Sequence, residues 1–330
     1  MTALLEIAAL GVTFRTGGTD VHAVTDVSLT MNQGERVGVI GESGSGKSVM
    51  ARSILRLDDP RRTRFAPGAR IALDGHEVLE MPERAIHALR GETAGIIFQN
   101  PMHALNPAFT VGAQMHAVLC AHRDLGRRAR REVIEAALAA VDLPRPDAML
   151  GRYPHELSGG QRQRVLVAQS VLCEPALVIA DEPTSALDVT AQDRVLDVLG
   201  RLSAERGIAV LLITHDLGVV ARFCERVNVM YGGRLVESGP VGTIFARPAH
   251  PYTTALLAAT PNPLRRRKTL TPIEGTQPAR RGAVPAGCVF APRCPHATAI
   301  CRAETPPLRD TDEGQRVACH HAEELSLAPA

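Results

Sequence analysis

The chain has 330 residues, a formal net charge of +2, 45% apolar and 3% aromatic residues, and no tryptophan. That length supports one large domain plus a smaller one around a mostly aliphatic core, and so balanced a charge argues neither for nor against a nucleic-acid partner. No apolar run approaches the roughly 20 residues of a membrane span; the longest candidate is cut by Glu174 and Pro175.

The opening "MTALLEIAAL" lacks a basic region and carries Glu6, so no secretory leader is expected. A soluble, cytosolic protein is the expectation, and a reducing cytosol favours free or metal-bound thiols over disulfides. "ERVGVI" (Glu35–Ile40) has strand length and alternation. It runs into "GESGSGKS" (Gly41–Ser48), and the helical pattern "SVMARSILRL" follows. This is the full G-x-x-x-x-G-K-[ST] phosphate loop in its strand–loop–helix context. Its glycines let successive N–H groups wrap phosphates, and the helix start adds partial positive charge. The nucleotide-binding set is Gly41, Glu42, Ser43, Gly44, Ser45, Gly46, Lys47, Ser48 and Val49, with Lys47 on the β- and γ-phosphates and Ser48 on Mg²⁺. The only lysines are Lys47 and Lys268, which sharpens the match.

"GIIFQ" (Gly95–Gln99), "ALVIAD" (Ala176–Asp181) and "AVLLIT" (Ala209–Thr214) are continuous apolar runs that suit a parallel sheet covered on both faces, with helical patterns between them: an α/β fold. From about Asn100 to Ser158 the pattern turns helical, and in "RRARREVIEAALAAVDL" Val133, Ala137, Leu138 and Val141 are expected inward. The arginines of 127–131 read as a solvated helix face. "LVIADEP" ends a strand in two acids. Asp181 is placed to hold Mg²⁺, directly or through water, and Glu182 to polarise an attacking water. In "LSGGQRQR", Ser158 is a good N-cap, and Gly159 and Gly160 bare N–H groups at a helix start, a second anion site.

Phosphate loop, Gln99 after a strand, the "LSGGQRQR" signature, Asp181-Glu182 and His215 at a strand end occur in that order. Together they resemble the ATP-binding cassette of ABC transporters over about residues 4–245. The resemblance implies a P-loop NTPase cassette: a RecA-like core with an antiparallel β subdomain and a helical subdomain (about 100–165), in a cassette of residues 1–247. It implies that ATP is sandwiched between Lys47 of one subunit and the signature residues Ser158, Gly159, Gly160 and Gln161 of another. Gln99 would sense Mg²⁺ and the attacking water, His215 would bond the γ-phosphate, and Asp188 of the D-loop "SALD" would link the two sites. Phe14 is the candidate adenine-stacking residue, with core packing as its other reading. The catalytic set is thus Lys47, Gln99, Glu182 and His215; the Mg²⁺ set is Ser48, Gln99 and Asp181.

After about Pro248 proline becomes frequent and periodicity fades. "HPYT" (His250–Thr253), an apolar helix and a cysteine-bearing tail resemble the ATP-binding subunits of dipeptide and oligopeptide importers; nickel and glutathione importers share this tail. That implies two transmembrane permease subunits, a second cassette subunit (a related chain or a second copy), an extracytoplasmic binding protein acting indirectly, no nucleic acid, and a peripheral place on the cytoplasmic face of the inner membrane. A soluble cassette ATPase without a transport role is the rival class. Region 248–330 also holds Cys288, Cys294, Cys301 and Cys319 in C-x5-C-x6-C-x17-C spacing. This fits neither paired zinc ligands nor the ferredoxin run. A proline-rich segment with little core of its own needs a staple, and the resemblance implies a [4Fe–4S] cluster on the four thiols, with zinc or no metal as the alternatives. His296, His320 and His321 read as surface residues, and Cys120, Cys173 and Cys224 as buried small hydrophobes.

Overall fold

The computed structural model describes residues 3–99, 104–185, 187–260, 273–277, 280–282, 284, 286–311 and 314–325. In chain order the strands are β1 (Leu5–Thr16), β2 (Thr19–Met31), β3 (Arg36–Ile40), β4 (Thr63–Phe65), β5 (Arg70–Leu73), β6 (His76–Glu77), β7 (Ala94–Ile97), β8 (Leu177–Asp181), β9 (Ala209–Ile213), β10 (Arg226–Tyr231), β11 (Arg234–Pro240), β12 (Arg309–Asp310) and β13 (Arg316–Val317). The helices are α1 (Lys47–Ile54), α2 (Glu83–Glu92), α3 (Val111–His122), α4 (Arg127–Ala140), α5 (Pro146–Met149), α6 (Gly159–Ser170), α7 (Val189–Arg206), α8 (Leu217–Phe223), α9 (Val241–Ala246), α10 (Pro251–Ala258) and α11 (Ala299–Ala303). They form two compact units, the first of residues 1–5, 31–36 and 72–213, the second of 6–30, 37–71 and 214–330.

In the first unit β7, β8 and β9 run parallel, in register Ile97↔Ala180 and Asp181↔Ile213. Every residue of β8 and β9 is buried, as an apolar run in a parallel sheet requires. Helices α3 to α6 form the expected helical segment. α4 buries Ile134, Ala137 and Leu138. Ile134, not Val133, takes the inward position; Val133 is only half-buried. Ile134, Ala137, Leu138 and Val141 follow the i, i+3, i+4, i+7 spacing of one helix face. Of the α4 arginines, Arg127, Arg128 and Arg131 are exposed, Arg128 pairing with Glu132 at 3.0 Å and Arg131 with Glu135 at 2.7 Å, while Arg130 is half-buried against Cys120. α7 starts at a cap made by Asp188, whose Oδ1 accepts the Ala191 N–H at 2.8 Å.

In the second unit β3 pairs in parallel with β10, and β10 antiparallel with β11. The tail extends this array: β13 pairs with β11 in register Glu237↔Val317, and β12 with β13. A second array joins β1 to β2 across the tight Gly17-Gly18 turn, with β4 on β1. Residues 280–282 lie along β2: His22 N–H donates to Arg280 O at 2.9 Å and Gly282 N–H to Asp20 O at 3.0 Å.

The tail has a core of its own. Phe290 is 1% exposed, and its ring lies 5.2 Å from that of Tyr231 and 5.4 Å from that of Tyr252. Val317 is wholly buried, and Cys301 and Cys319 nearly so. Cys173 and Cys224 are buried as expected, but Cys120 is exposed on α3, its sulfur beside His116 and Arg130. The basic stretch "RRRK" (Arg265–Lys268) lies outside the described residues.

Candidate active site

The phosphate loop connects β3 to α1 in the second unit. Lys47 is 5% exposed and folds back over the loop, its Nζ donating to Gly41 O at 2.7 Å, Glu42 O at 2.9 Å and Ser45 Oγ at 3.4 Å. The one lysine of the cassette is thus held inside the loop it serves. Two glycines are required by space as well as by backbone angle. A Cβ on Gly41 (φ +148°) would run into the Met230 carbonyl, and one on Gly46 (φ +107°) would meet Ala23 O at 2.5 Å. Ser48 and Val49, in the first turn of α1, are half-buried.

Phe14, near the end of β1, faces Thr63 of β4 in the register and is half-buried, so it is not a core residue. His215 is exposed just beyond β9. The next residue, Asp216, caps α8 by accepting the Gly218 and Val219 N–H groups at 2.9 and 3.2 Å.

The first unit brings Gln99 and the strand-end acids together. Asp181, 5% exposed, ends β8. Parallel pairing sets the ends of β7 and β8 side by side, and there Gln99 Nε2 donates to Glu182 Oε2 at 2.8 Å. Glu182 has φ +48°, the left-handed region, which a non-glycine residue enters only when its surroundings enforce it. The enforcing contacts are its N–H to Ile213 O at 2.8 Å and the Ser185 hydroxyl to its carbonyl at 3.2 Å. The two side chains that sequence reasoning assigned to the attacking water therefore touch each other.

Ser158 caps α6 in a reciprocal box. Its Oγ accepts the Gln161 N–H at 3.3 Å, and Gln161 Oε1 accepts the Ser158 N–H at 3.0 Å. Ser158 and Gly159 are exposed, and a Cβ on Gly160 would sit 3.2 Å from that of Ala191. The signature is a solvent-facing helix start whose glycines allow α6 and the start of α7 to approach.

The iron–sulfur expectation is corrected. Among the described residues no group of three or more His, Cys, Asp or Glu side chains is placed to hold a metal ion. The physical reason is that the tail is tied down by other means, the Phe290 ring cluster and the β11–β13 pairing. Burial pushes the thiols of Cys288, Cys294 and Cys319 above their ordinary range, while hydrogen bonds from Thr298 and the neighbouring His321 hold that of Cys301 below it. Of the tail histidines, His296 is exposed as expected. His320 is bonded to Glu304 O at 2.9 Å, and His321 to Glu324 at 2.9 Å and Thr298 at 2.8 Å.

Sequence reasoning missed residues beyond 250 that reach the phosphate loop. Tyr252 OH accepts the Glu42 N–H at 2.8 Å, and Arg293 donates to the Glu42 carboxylate at 2.9 Å. The "HPYT" motif was legible, but no local signal ties Arg293 to a loop 251 positions upstream.

Residues 24–185 match the family described as ABC transporter, and residues 236–301 the one described as oligopeptide/dipeptide transporter, C-terminal region. The oligopeptide transport ATP-binding protein OppD of Salmonella typhimurium is 43% identical over 96% of this chain and 93% of its own length. The chain belongs to the ABC transporter ATP-binding subunits of the oligopeptide/dipeptide type. OppD of Escherichia coli is 42% identical over the same shares. Among solved structures, the dimeric ATP-binding cassette MJ0796 in a post-hydrolysis state bound to ADP and Pi superposes with a TM-score of 0.64. It is 27% identical and covers 72% of this chain and 98% of its own. This ATP-binding subunit is therefore an ATPase, and its fold is the P-loop ABC cassette. No helix among its described residues is long and apolar enough to cross a membrane.

Proposed function

We propose that this subunit powers the import of di- or oligopeptides through separate transmembrane permease subunits. The observation that carries this reading is the match of residues 236–301 to the peptide-transporter C-terminal region, joined to a complete set of cassette motifs. We read residues 1–247 as the motor and 248–330 as the region that marks its transporter class. Import of nickel or glutathione by the same motor is the second reading, since the resemblance of the tail extends to those importers.

In this reading Lys47 and the N–H groups of the phosphate loop bind the triphosphate, and Phe14 stacks on the adenine. The oxygen donors of Ser48, Gln99 and Asp181 suit a hard cation such as Mg²⁺, which supplies charge neutralisation at the phosphates. Glu182 accepts the proton of the attacking water, and the Gln99 amide orients its carboxylate. His215 bonds the γ-phosphate. Ser158 to Gln161 bind the nucleotide held by a second cassette subunit, and Asp188 couples the two sites. The permeases dock on the helical segment following Gln99. Exposed aromatic rings at Phe98, Phe109 and Tyr153 support that placement in a chain with so few of them. The subunit then works at the cytoplasmic face of the inner membrane, without spanning it.

Glu182→Gln is expected to keep ATP binding, abolish phosphate release and accumulate a dimer on size-exclusion chromatography with ATP. Undiminished hydrolysis would show that another group positions the water. The cargo is tested in the host: deleting the gene is expected to abolish growth on a peptide as the sole source of a required amino acid. Unchanged peptide uptake with impaired nickel or glutathione uptake would favour the second reading.

A further inference from the structure

The segments after 250 converge on one part of the motor. Tyr252, wholly buried on α10, holds the N–H of Glu42. The Arg293 side chain is 6% exposed. Its Nη1 donates to the Glu42 carboxylate at 2.9 Å and to the Tyr231 hydroxyl at 3.2 Å. Its other nitrogens donate to Glu274 O at 2.7 Å and Ile273 O at 3.0 Å, and its guanidinium lies 5.7 Å from the centre of the Tyr231 ring. Gln277 Nε2 donates to the same Glu42 oxygen at 3.1 Å and to Ser43 O at 3.4 Å. Arg280 donates to Gly44 O and to Ala23 O.

These contacts have two physical consequences. A trans peptide is planar, so its C=O and N–H point in opposite directions. The donor that holds the Ser43 carbonyl therefore also sets the direction of the Gly44 N–H, a backbone group placed to cradle phosphate. The second consequence concerns charge. Glu42 is an acid inside a loop that must receive a polyanion. Left alone, its carboxylate repels the phosphates; with the Arg293 guanidinium paired to it at 2.9 Å, that repulsion is offset.

We propose that Arg293 is a positioning residue for ATP, acting through Glu42, so that the C-terminal region sets the nucleotide affinity of the motor. This rests on the phosphate-loop reading and adds to it a residue that lies outside every cassette motif. It gives the region around the four cysteines a task that requires no metal: it carries Arg293, which stands one residue before Cys294, into place against the loop.

The test uses the full-length chain with Mg²⁺ and a fluorescent ATP analogue. Arg293→Met is expected to raise the Kd for the analogue, and the KM for ATP, about tenfold, with kcat within about twofold, a coupling of ordinary size between two sites. Adding Glu42→Gln to Arg293→Met removes the acid that the arginine neutralises, and is expected to recover affinity to within about threefold of wild type. A purely structural arginine would not be rescued in this way. Arg293→Lys keeps the charge beside Glu42 but loses the guanidinium fork, and is expected to lose less affinity than the roughly tenfold expected of Arg293→Met. Wild-type affinity in Arg293→Met would overturn the proposal. So would a double variant no better than that single variant, or a tenfold loss in Arg293→Lys at an unchanged melting temperature. Lys47→Ala separates the two readings: if it binds the analogue as tightly as wild type, the phosphate-loop assignment fails, whatever Arg293 does.

Discussion

Glu237 sits on β11 with no exposed surface, its carboxylate accepting the N–H groups of Ala249 and His250 at 2.6 and 3.1 Å. Burial pushes its pKa up from 4.5 to about 7, and burial pulls that of His250 down from 6.5 to about 3. The two act in opposite senses. The folded chain keeps the Glu237 proton that the unfolded chain loses above 4.5, so this contribution is full below that pH and is lost as the pH rises through about 7. The unfolded chain instead binds the extra proton at His250, so that contribution is present above 6.5 and is lost as the pH falls toward about 3. Glu237→Gln removes the first effect alone. The variant is expected to gain stability relative to wild type as the pH is raised from about 5 to about 8, read from urea unfolding at the two values. A difference that does not change with pH would contradict a protonated Glu237. None of this was legible in the sequence, where Glu237 is one acid in an ordinary strand. Its burial comes from β13, far along the chain, and from the nearby segment that precedes α10.

At the level of elements, the parallel strands and their order were readable because each is an apolar run closed by a functional motif. "VGVI" leads into the phosphate loop and "LVIAD" into the acids, and the observed β3 and β8 end at those points. One of the four inward positions of α4 was misassigned: Val133 and Ile134 are both apolar, and it is Ile134 that falls in i, i+3, i+4, i+7 register with Ala137, Leu138 and Val141. The tail was misread for a deeper reason. Its short strands and turns carry no period, so the cysteines are its most conspicuous residues and Phe290 is a lone aromatic among prolines. In the folded chain Phe290 is the ring against which Tyr231, Tyr252 and His250 pack, at 5.2, 5.4 and 5.9 Å. Phe290→Ala is expected to lower unfolding stability by about 3–5 kcal/mol, the usual cost of emptying a buried aromatic site. Measured by denaturant melts, a loss below about 1 kcal/mol would mean that the tail is secured elsewhere.

For the whole molecule, the cassette motifs told the family and the reaction, but the division of labour between motor and tail needed coordinates. A reader of the sequence would cut the chain after residue 247. The structure argues against doing so: the cut removes the partner strand of β11 and uncovers Tyr231, which is wholly buried in the intact chain. An unpaired strand edge beside exposed apolar surface invites association. The 1–247 fragment is expected to elute as aggregate on size-exclusion chromatography, and a monodisperse fragment as stable as the full chain would refute this. The Glu42–Arg293 pair also has a meaning in time. Ribosomes deliver the loop early and the arginine late, and domains tend to settle in the order they emerge. A nascent chain from which Arg293 has not yet emerged leaves the Glu42 charge unopposed, and on the proposal above its phosphate loop is expected to hold ATP less tightly than that of the folded chain.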